Sequence, residues 1–262
     1  MELFDYQLEG LKRCEGRDRV AFYWDMGTGK TFVGAEKMMN LGKKVNLVVC
    51  QKSKIQDWID HFSQYYRDES NPFALSIWDL TTKGGMMGFL SGLSGIENAQ
   101  YQIIGVINYE LTWRRKDLLK LKDFTLMLDE SSLIQNERAK QTKFIMKLNY
   151  DDLILLSGTP VGGKYERLWS QLHMLGWPIS RDTFWSTYID YEWDRSQGFP
   201  ICTVYGYKRV DRLKSKLAQY GCQFLRTDEV LTLPEQRFQT IKVKKSKEYI
   251  RFKKDSVVEV MG

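Results

Sequence analysis

Histidine, cysteine and proline are all scarce in this chain, at 2, 4 and 5 among 262 residues. The cysteines, Cys14, Cys50, Cys202 and Cys222, lie far apart and none forms a CxxC. That excludes a disulfide framework, and His61 and His173 are too few to complete a structural zinc site. With 43% hydrophobic and 27% charged residues, the composition also excludes disordered and collagenous classes. No apolar run approaches the roughly 18 residues of a membrane span; the longest, such as 153–156, are of strand length. The opening Met1-Glu2-Leu3-Phe4-Asp5 lacks the basic-then-apolar pattern of a secretory signal. These absences predict a reduced, soluble, cytoplasmic protein with no membrane partner. At roughly 150 residues per domain, one large domain or two small ones are allowed.

What is present begins with charge. The formal net charge is +6, unevenly spread: residues 201–262 carry 14 Lys and Arg against 7 Asp and Glu, whereas residues 1–200 are nearly balanced at 25 against 26. A basic end can attract phosphate backbones or can be a solvated face, and charge alone does not decide between them.

Hydrophobic periodicity organises the rest. Residues 1–16 read as a short helix, with Tyr6, Gln7 and Leu11 near one face. The apolar run 20–24 has strand length and is followed by Asp25-Met26-Gly27-Thr28-Gly29-Lys30-Thr31. A helix over 31–41 stopped by Gly42, then an apolar run at 45–50, complete a βαβ unit of a parallel sheet. An amphipathic helix follows through Ile55, Trp58, Ile59, Phe62 and Tyr65. Further strands are predicted at 74–78, 103–107, 124–128 and 153–156, and helices at 111–121, 138–148 and around 165–175. The segment 81–98, with five glycines, reads as a loop carrying at most one helical turn. Among the aromatics of 177–207, the i, i+4, i+7 spacing of Phe184, Tyr188 and Tyr191 favours a packed helix over base stacking. The alternation over 237–245 reads as a strand. The pattern is a doubly wound α/β domain.

Chemistry concentrates at two places. Gly27-Thr28-Gly29-Lys30-Thr31, between a strand and a helix, is where a phosphate-binding loop belongs: glycines let N–H groups approach the phosphates and the helix presents its positive end. Lys30 would reach the β- and γ-phosphates and the Thr31 hydroxyl would ligate Mg²⁺. The full GxxxxGK[ST] string is broken by Trp24 at its first glycine position, and Phe32 rules out the dinucleotide GxGxxG, so a nucleoside triphosphate is the better ligand. Asp129-Glu130 then ends the 124–128 strand. By itself this pair is a solvated turn; with the loop upstream, Asp129 would hold the metal and Glu130 would orient or deprotonate the attacking water.

Tyr6-Gln7-Leu8-Glu9-Gly10, Asp25 to Thr31, Asp129-Glu130-Ser131-Ser132 and Ser157-Gly158-Thr159-Pro160 resemble, in order and placement, the Q motif and motifs I, II and III of superfamily-two helicase-like ATPases. The similarity is greatest to the Swi/Snf-like translocases. Gln51-Lys52-Ser53 with Trp58 resembles their motif Ia, Asn108-Tyr109-Glu110 their motif Ib, and Leu225-Arg226-Thr227-Asp228-Glu229-Val230 the segment closing their first lobe.

The resemblance implies a RecA-like P-loop domain of three αβα layers with a mainly parallel central sheet. It implies Mg²⁺ and ATP, with Gln7 reading adenine and Met26, Gly27, Thr28, Gly29, Lys30 and Thr31 cradling the nucleotide. Lys52, Ser53, Asn108 and Tyr109 would touch a nucleic-acid backbone, DNA rather than RNA. Ser157 and Thr159 would couple the γ-phosphate to that grip. Motif II reads DESS where relatives often have DEAH, so coupling would pass through Ser132, and Phe4-Asp5 replaces a common Arg-Pro.

The expected organisation is an N-terminal RecA-like ATP-binding helicase lobe over 1–235, with 236–262 a linker or the start of a second lobe carrying the arginine finger. The expected activity is that of an ATP-hydrolysing, DNA-dependent translocase whose isolated first lobe turns over poorly. Two rivals remain open: a non-catalytic nucleic-acid-binding module on the same scaffold, and a small-molecule P-loop phosphotransferase.

Overall fold

The computed structural model describes residues 2–67, 74–160, 162–194 and 200–232, with isolated positions beyond. The chain divides into two compact units, Met1–Val230 and Leu231–Gly262. Nearly all described residues belong to the first. The strand predicted over 237–245 lies almost wholly outside the described residues.

In chain order the first unit runs α1 (Asp5–Arg13), β1 (Arg19–Trp24), α2 (Lys30–Leu41), β2 (Val45–Cys50), α3 (Ile55–Tyr65), β3 (Leu75–Asp79), α4 (Lys83–Gly92) and β4 (Gln102–Asn108). It continues with α5 (Tyr109–Thr112), β5 (Phe124–Asp129), α6 (Lys140–Ile145), β6 (Asp152–Leu156), α7 (Trp169–Met174) and α8 (Arg181–Tyr188). Then come β7 (Ile189–Asp194), β8 (Ile201–Tyr207), α9 (Val210–Gln219), β9 (Cys222–Leu225) and α10 (Thr227–Val230). Seven strands form one sheet in the order β3-β4-β2-β5-β6-β1-β9, and every pairing in it is parallel.

The apolar runs are continuous because both faces of the sheet are covered. Alternate residues of one strand enter opposite cores: Phe22 and Trp24 of β1 pack with Val33 and Met38 of α2 and Trp58 and Phe62 of α3, while Ala21 and Tyr23 face the layer holding Leu172 of α7 and Phe184 of α8. The result is the expected three-layer αβα arrangement. Every βα crossover brings its loop to the same C-terminal edge, so the segments beginning at Asp25, Gln51, Asn108, Asp129 and Ser157 share one rim. β1 and β5 are not neighbours, as β6 runs between them, with Leu156 level with both Phe22 and Asp129.

Three local expectations are corrected. The glycine-rich 81–98 segment contains a regular helix, α4, whose N-cap Thr82 accepts a hydrogen bond from the Gly85 amide at 2.9 Å. Its glycines are contact surfaces: a Cβ at Gly85 would lie 1.9 Å from the Asp79 carbonyl oxygen, and one at Gly88 would lie 2.2 Å from the Trp78 ring. The helix predicted over 111–121 breaks into α5 and a 3₁₀ turn at Lys116–Lys120. The break sits where the Arg115 guanidinium donates to the carbonyls of Leu80 and Thr81, at 3.2 and 2.7 Å. Tyr191 does not extend the helix of Phe184 and Tyr188 but lies within β7, which pairs antiparallel with β8 through an irregularity at Asp190/Tyr191.

Candidate nucleotide and nucleic-acid site

The loop after β1 supplies the centre. Gly27 and Gly29 have φ of 83° and 75°, left-handed conformations that glycine adopts without strain. At Gly29 any side chain is also excluded by space, since a Cβ would lie 2.3 Å from Gln7 Nε2. The loop thus closes over α1. Gln7 is buried, donates from Nε2 to the Thr28 carbonyl at 3.1 Å and accepts from the Phe4 amide at 3.0 Å. A primary amide has two donor hydrogens and two acceptor lone pairs, so these two bonds leave one of each unused. Met26 is 83% exposed at the loop crest. Thr28 is buried, and its hydroxyl donates to the Asp25 carbonyl at 2.8 Å.

Lys30 and Thr31 begin α2, both half-buried. Lys30 Nζ donates to the Asp25 carbonyl at 2.8 Å. Burial lowers the pKa of this ammonium, and the carboxylates of Glu130, Asp129 and Asp25 raise it in partial opposition. Those three carboxylates therefore lie near enough to act on the lysine's charge. From the β6 side, a Cβ at Gly158 would lie 3.6 Å from Nζ. Lys30 and Asp129 follow strands that share one rim, but β6 separates those strands, so they are not at neighbouring strand ends.

At the end of β5, Asp129 Oδ2 accepts from Trp58 Nε1 at 2.9 Å. Burial raises the Asp129 pKa; the Trp58 hydrogen bond lowers it and the neighbouring Glu130 charge raises it further. Glu130 holds φ 56°, ψ 59°, a left-handed conformation costing a non-glycine residue about 1–3 kcal/mol. That turn aims Oε1 at two hydroxyls: Ser132 and Ser157 each donate to it at 2.6 Å. Ser157 also accepts from the Thr159 amide at 3.2 Å, while the Thr159 residue itself is exposed. Ser132 therefore meets motif III through the shared Glu130 carboxylate.

Sequence reasoning missed a second bridge beneath this one. Buried Gln171 of α7 accepts from Ser131 Oγ at 2.8 Å and Tyr23 OH at 2.9 Å, and donates to the Pro160 carbonyl at 2.9 Å. Its only signal was a polar residue inside the apolar face of Leu168, Leu172 and Leu175. Cys50 offers no rival nucleophile, since burial pushes its thiol up to about 12.

Further along the rim, Gln51, Lys52, Ser53, Glu110 and Leu133 line an open cleft of about 590 Å³. Lys52 and Ser53 are exposed on a 3₁₀ turn. Asn108 is buried and its amide donates to Glu110 Oε2 at 2.6 Å. Tyr109 corrects its expectation: its side chain is fully buried and its hydroxyl donates to the Asp129 carbonyl at 2.9 Å, so it supports β5 from within instead of presenting to a backbone phosphate.

Comparison with known proteins agrees with this layout. A family model described as the SNF2-related domain matches residues 18–258. The human SWI/SNF-related matrix-associated actin-dependent regulator of chromatin subfamily A member 1 is 24% identical over 246 residues, covering 90% of this chain and 22% of that protein. The mouse helicase-like transcription factor is 26% identical over 207 residues, 74% of this chain and 19% of its own. The Saccharomyces cerevisiae chromatin-remodeling ATPase INO80 is 24% identical over 194 residues, 66% and 12% respectively. The chain thus spans about a fifth or less of these relatives. Among solved structures, the Sulfolobus solfataricus SWI2/SNF2 ATPase core in complex with dsDNA superposes with a TM-score of 0.62 at 20% identity, over 87% of this chain and 45% of that one. The seven-stranded parallel sheet is therefore the fold of a SWI2/SNF2 ATPase core. With the family model running across nearly the whole chain and the motif-bearing loops gathered on one rim, this chain belongs to the SNF2-related domain family.

Proposed function

We propose that the chain is the ATP-binding first lobe of a DNA-dependent ATPase and helicase-like translocase of Swi/Snf type. The observation that carries this reading is the convergence of Lys30, Asp129, Glu130 and Gly158 from three separate strand ends. The residues present suit a magnesium triphosphate. The Thr31 hydroxyl and the Asp129 carboxylate are hard oxygen donors, and Mg²⁺ is commonly held by one or two carboxylates together with substrate phosphates. When bound, the ion neutralises charge on the β- and γ-phosphates.

The chain's own groups do the remainder. Lys30 leaves the Asp25 carbonyl to pair with phosphate oxygens. Loop amides from Gly27 to Thr31 and the N-terminus of α2 stabilise the anion. Glu130, oriented by Ser132 and Ser157, orients the attacking water and accepts its proton. A change at Glu130 reaches the Ser157–Pro160 segment through the Ser157 hydroxyl. Lys52 and Ser53 in the adjoining cleft would contact a DNA backbone. Full turnover requires a second lobe, because the closing arginine contributes about 10³–10⁵ in rate in related phosphoryl-transfer machines.

Calorimetric titration with Mg-ATP tests the loop. The wild type binds and Lys30→Ala loses binding; equal affinities in the two would remove the assignment.

A further inference from the structure

The phosphate loop is tied to a segment more than 200 positions away. β9 is the edge strand beside β1, with Leu225 level with Trp24. Just beyond that pair the chain crosses onto the loop. The Asp25 amide donates to the Leu225 carbonyl at 2.9 Å. Asp25 Oδ2 accepts from the Thr227 amide at 3.1 Å, and the Thr227 hydroxyl donates to the Met26 carbonyl at 3.1 Å. The Asp25 carbonyl meanwhile accepts from both Thr28 Oγ1 and Lys30 Nζ at 2.8 Å. One residue, Asp25, therefore connects the lysine that would reach for phosphate with the backbone leaving the sheet.

We propose that Thr227 is a positioning residue for the phosphate loop. Its hydroxyl and amide fix the Met26 carbonyl and the Asp25 carboxylate. With the first two loop residues so anchored, the following glycine amides are free to converge on an anion. Lys30 is held by the carbonyl of Asp25, the residue whose amide and carboxylate bind residues 225 and 227, so drawing Lys30 towards phosphate changes the contacts of the residue on which that segment rests. Linkage makes the effect reciprocal: whatever tightens this segment raises nucleotide affinity, and nucleotide tightens the segment. The inference rests on the loop being the triphosphate site.

Thr227→Val keeps size and shape and removes only the hydroxyl, at a residue that is not buried; Thr227→Ser keeps the hydroxyl. Two measurements on the full-length protein decide the matter: Mg-ATP affinity by calorimetry, and backbone hydrogen exchange across residues 225–228 with and without Mg-ATP. Loss of one hydrogen bond predicts about 3–10-fold weaker binding for Thr227→Val, with near-wild-type affinity for Thr227→Ser. Nucleotide should slow exchange of the Thr227 amide in the wild type and in Thr227→Ser, and do so less in Thr227→Val, which keeps only the amide bond to Asp25. Affinity of Thr227→Val within twofold of wild type, or undiminished slowing, would overturn the proposal, as would equal weakening by both substitutions. If wild type and Lys30→Ala bind alike, the loop assignment falls and this proposal falls with it. Wild-type binding with an indifferent Thr227→Val removes the proposal alone.

Discussion

Asp129 and Glu130 are adjacent, yet their surroundings give them different work. Glu130 is turned by a left-handed backbone onto two serine hydroxyls, whereas Asp129 is sunk against Trp58. Replacing Glu130 by Gln should leave Mg-ATP affinity intact and slow hydrolysis by the full-length enzyme about 10²–10⁴-fold, the usual worth of a positioned general base. Single-turnover assays beside calorimetry separate the two effects. For Asp129 the consequence concerns stability. Its folded pKa lies above the unfolded value, because burial penalises the charged form. Between those two pKa values the folded state binds more protons than the unfolded one, so this group's destabilising effect is complete above the folded pKa and is relieved as pH falls through it. Asp129→Asn keeps an acceptor for Trp58 and removes the charge. It should therefore melt higher than wild type at neutral pH, with the gap narrowing towards acid, while losing Mg²⁺-dependent binding. Melting curves across pH check the first point; a variant no more stable at pH 7 than wild type contradicts it.

At the scale of elements, α4 shows how composition misleads. Four glycines in ten residues argue against a helix, since each costs about 0.5–1 kcal/mol relative to alanine. Tertiary contact reverses the preference, because α4 can lie on β3 only where Cβ atoms are missing. A paired substitution separates the two effects. Gly84 meets nothing within 4 Å, so Gly84→Ala should stabilise by about 0.4–1 kcal/mol. Gly88→Ala, forced against the Trp78 ring, should destabilise by about 1–3 kcal/mol. Urea unfolding of both variants reads the opposite signs directly. The β7–β8 hairpin was illegible for a related reason: its aromatic and alternating residues also fit a packed helix, and only strand pairing distinguishes the two. The inner parallel strands were legible because each is an apolar run covered on both faces; the edge strand β9 was not, because Gln223 interrupts it and Phe224 is exposed.

At the scale of the molecule, a single sheet edge holds both the 25–31 loop and the Lys52 cleft. If that cleft carries DNA backbone in the full-length protein, log affinity should fall linearly with log salt, by about 0.9 for each phosphate neutralised. Lys52→Ala should reduce the slope by about 0.9 without altering ATP affinity, measured by fluorescence anisotropy over a salt series. An unchanged slope would take Lys52 out of the interface.

Sequence alone determined the alternation of apolar runs and amphipathic helices, and hence a parallel α/β domain. It also placed the 25–31 loop, Asp129 and Ser157 at strand ends. Local order suffices for this, because hydrophobic period and glycine punctuation are properties of neighbouring residues. Only the tertiary structure decided which strand lies beside which, and therefore that β6 separates β1 from β5 and that β9 returns beside β1 to the 25–31 loop. It decided likewise that Tyr109 is buried support, that Gln171 bridges two motifs, and that Thr227 rests on Met26. Such contacts join positions tens to hundreds of residues apart, and they exist only once burial has selected one packing of the sheet.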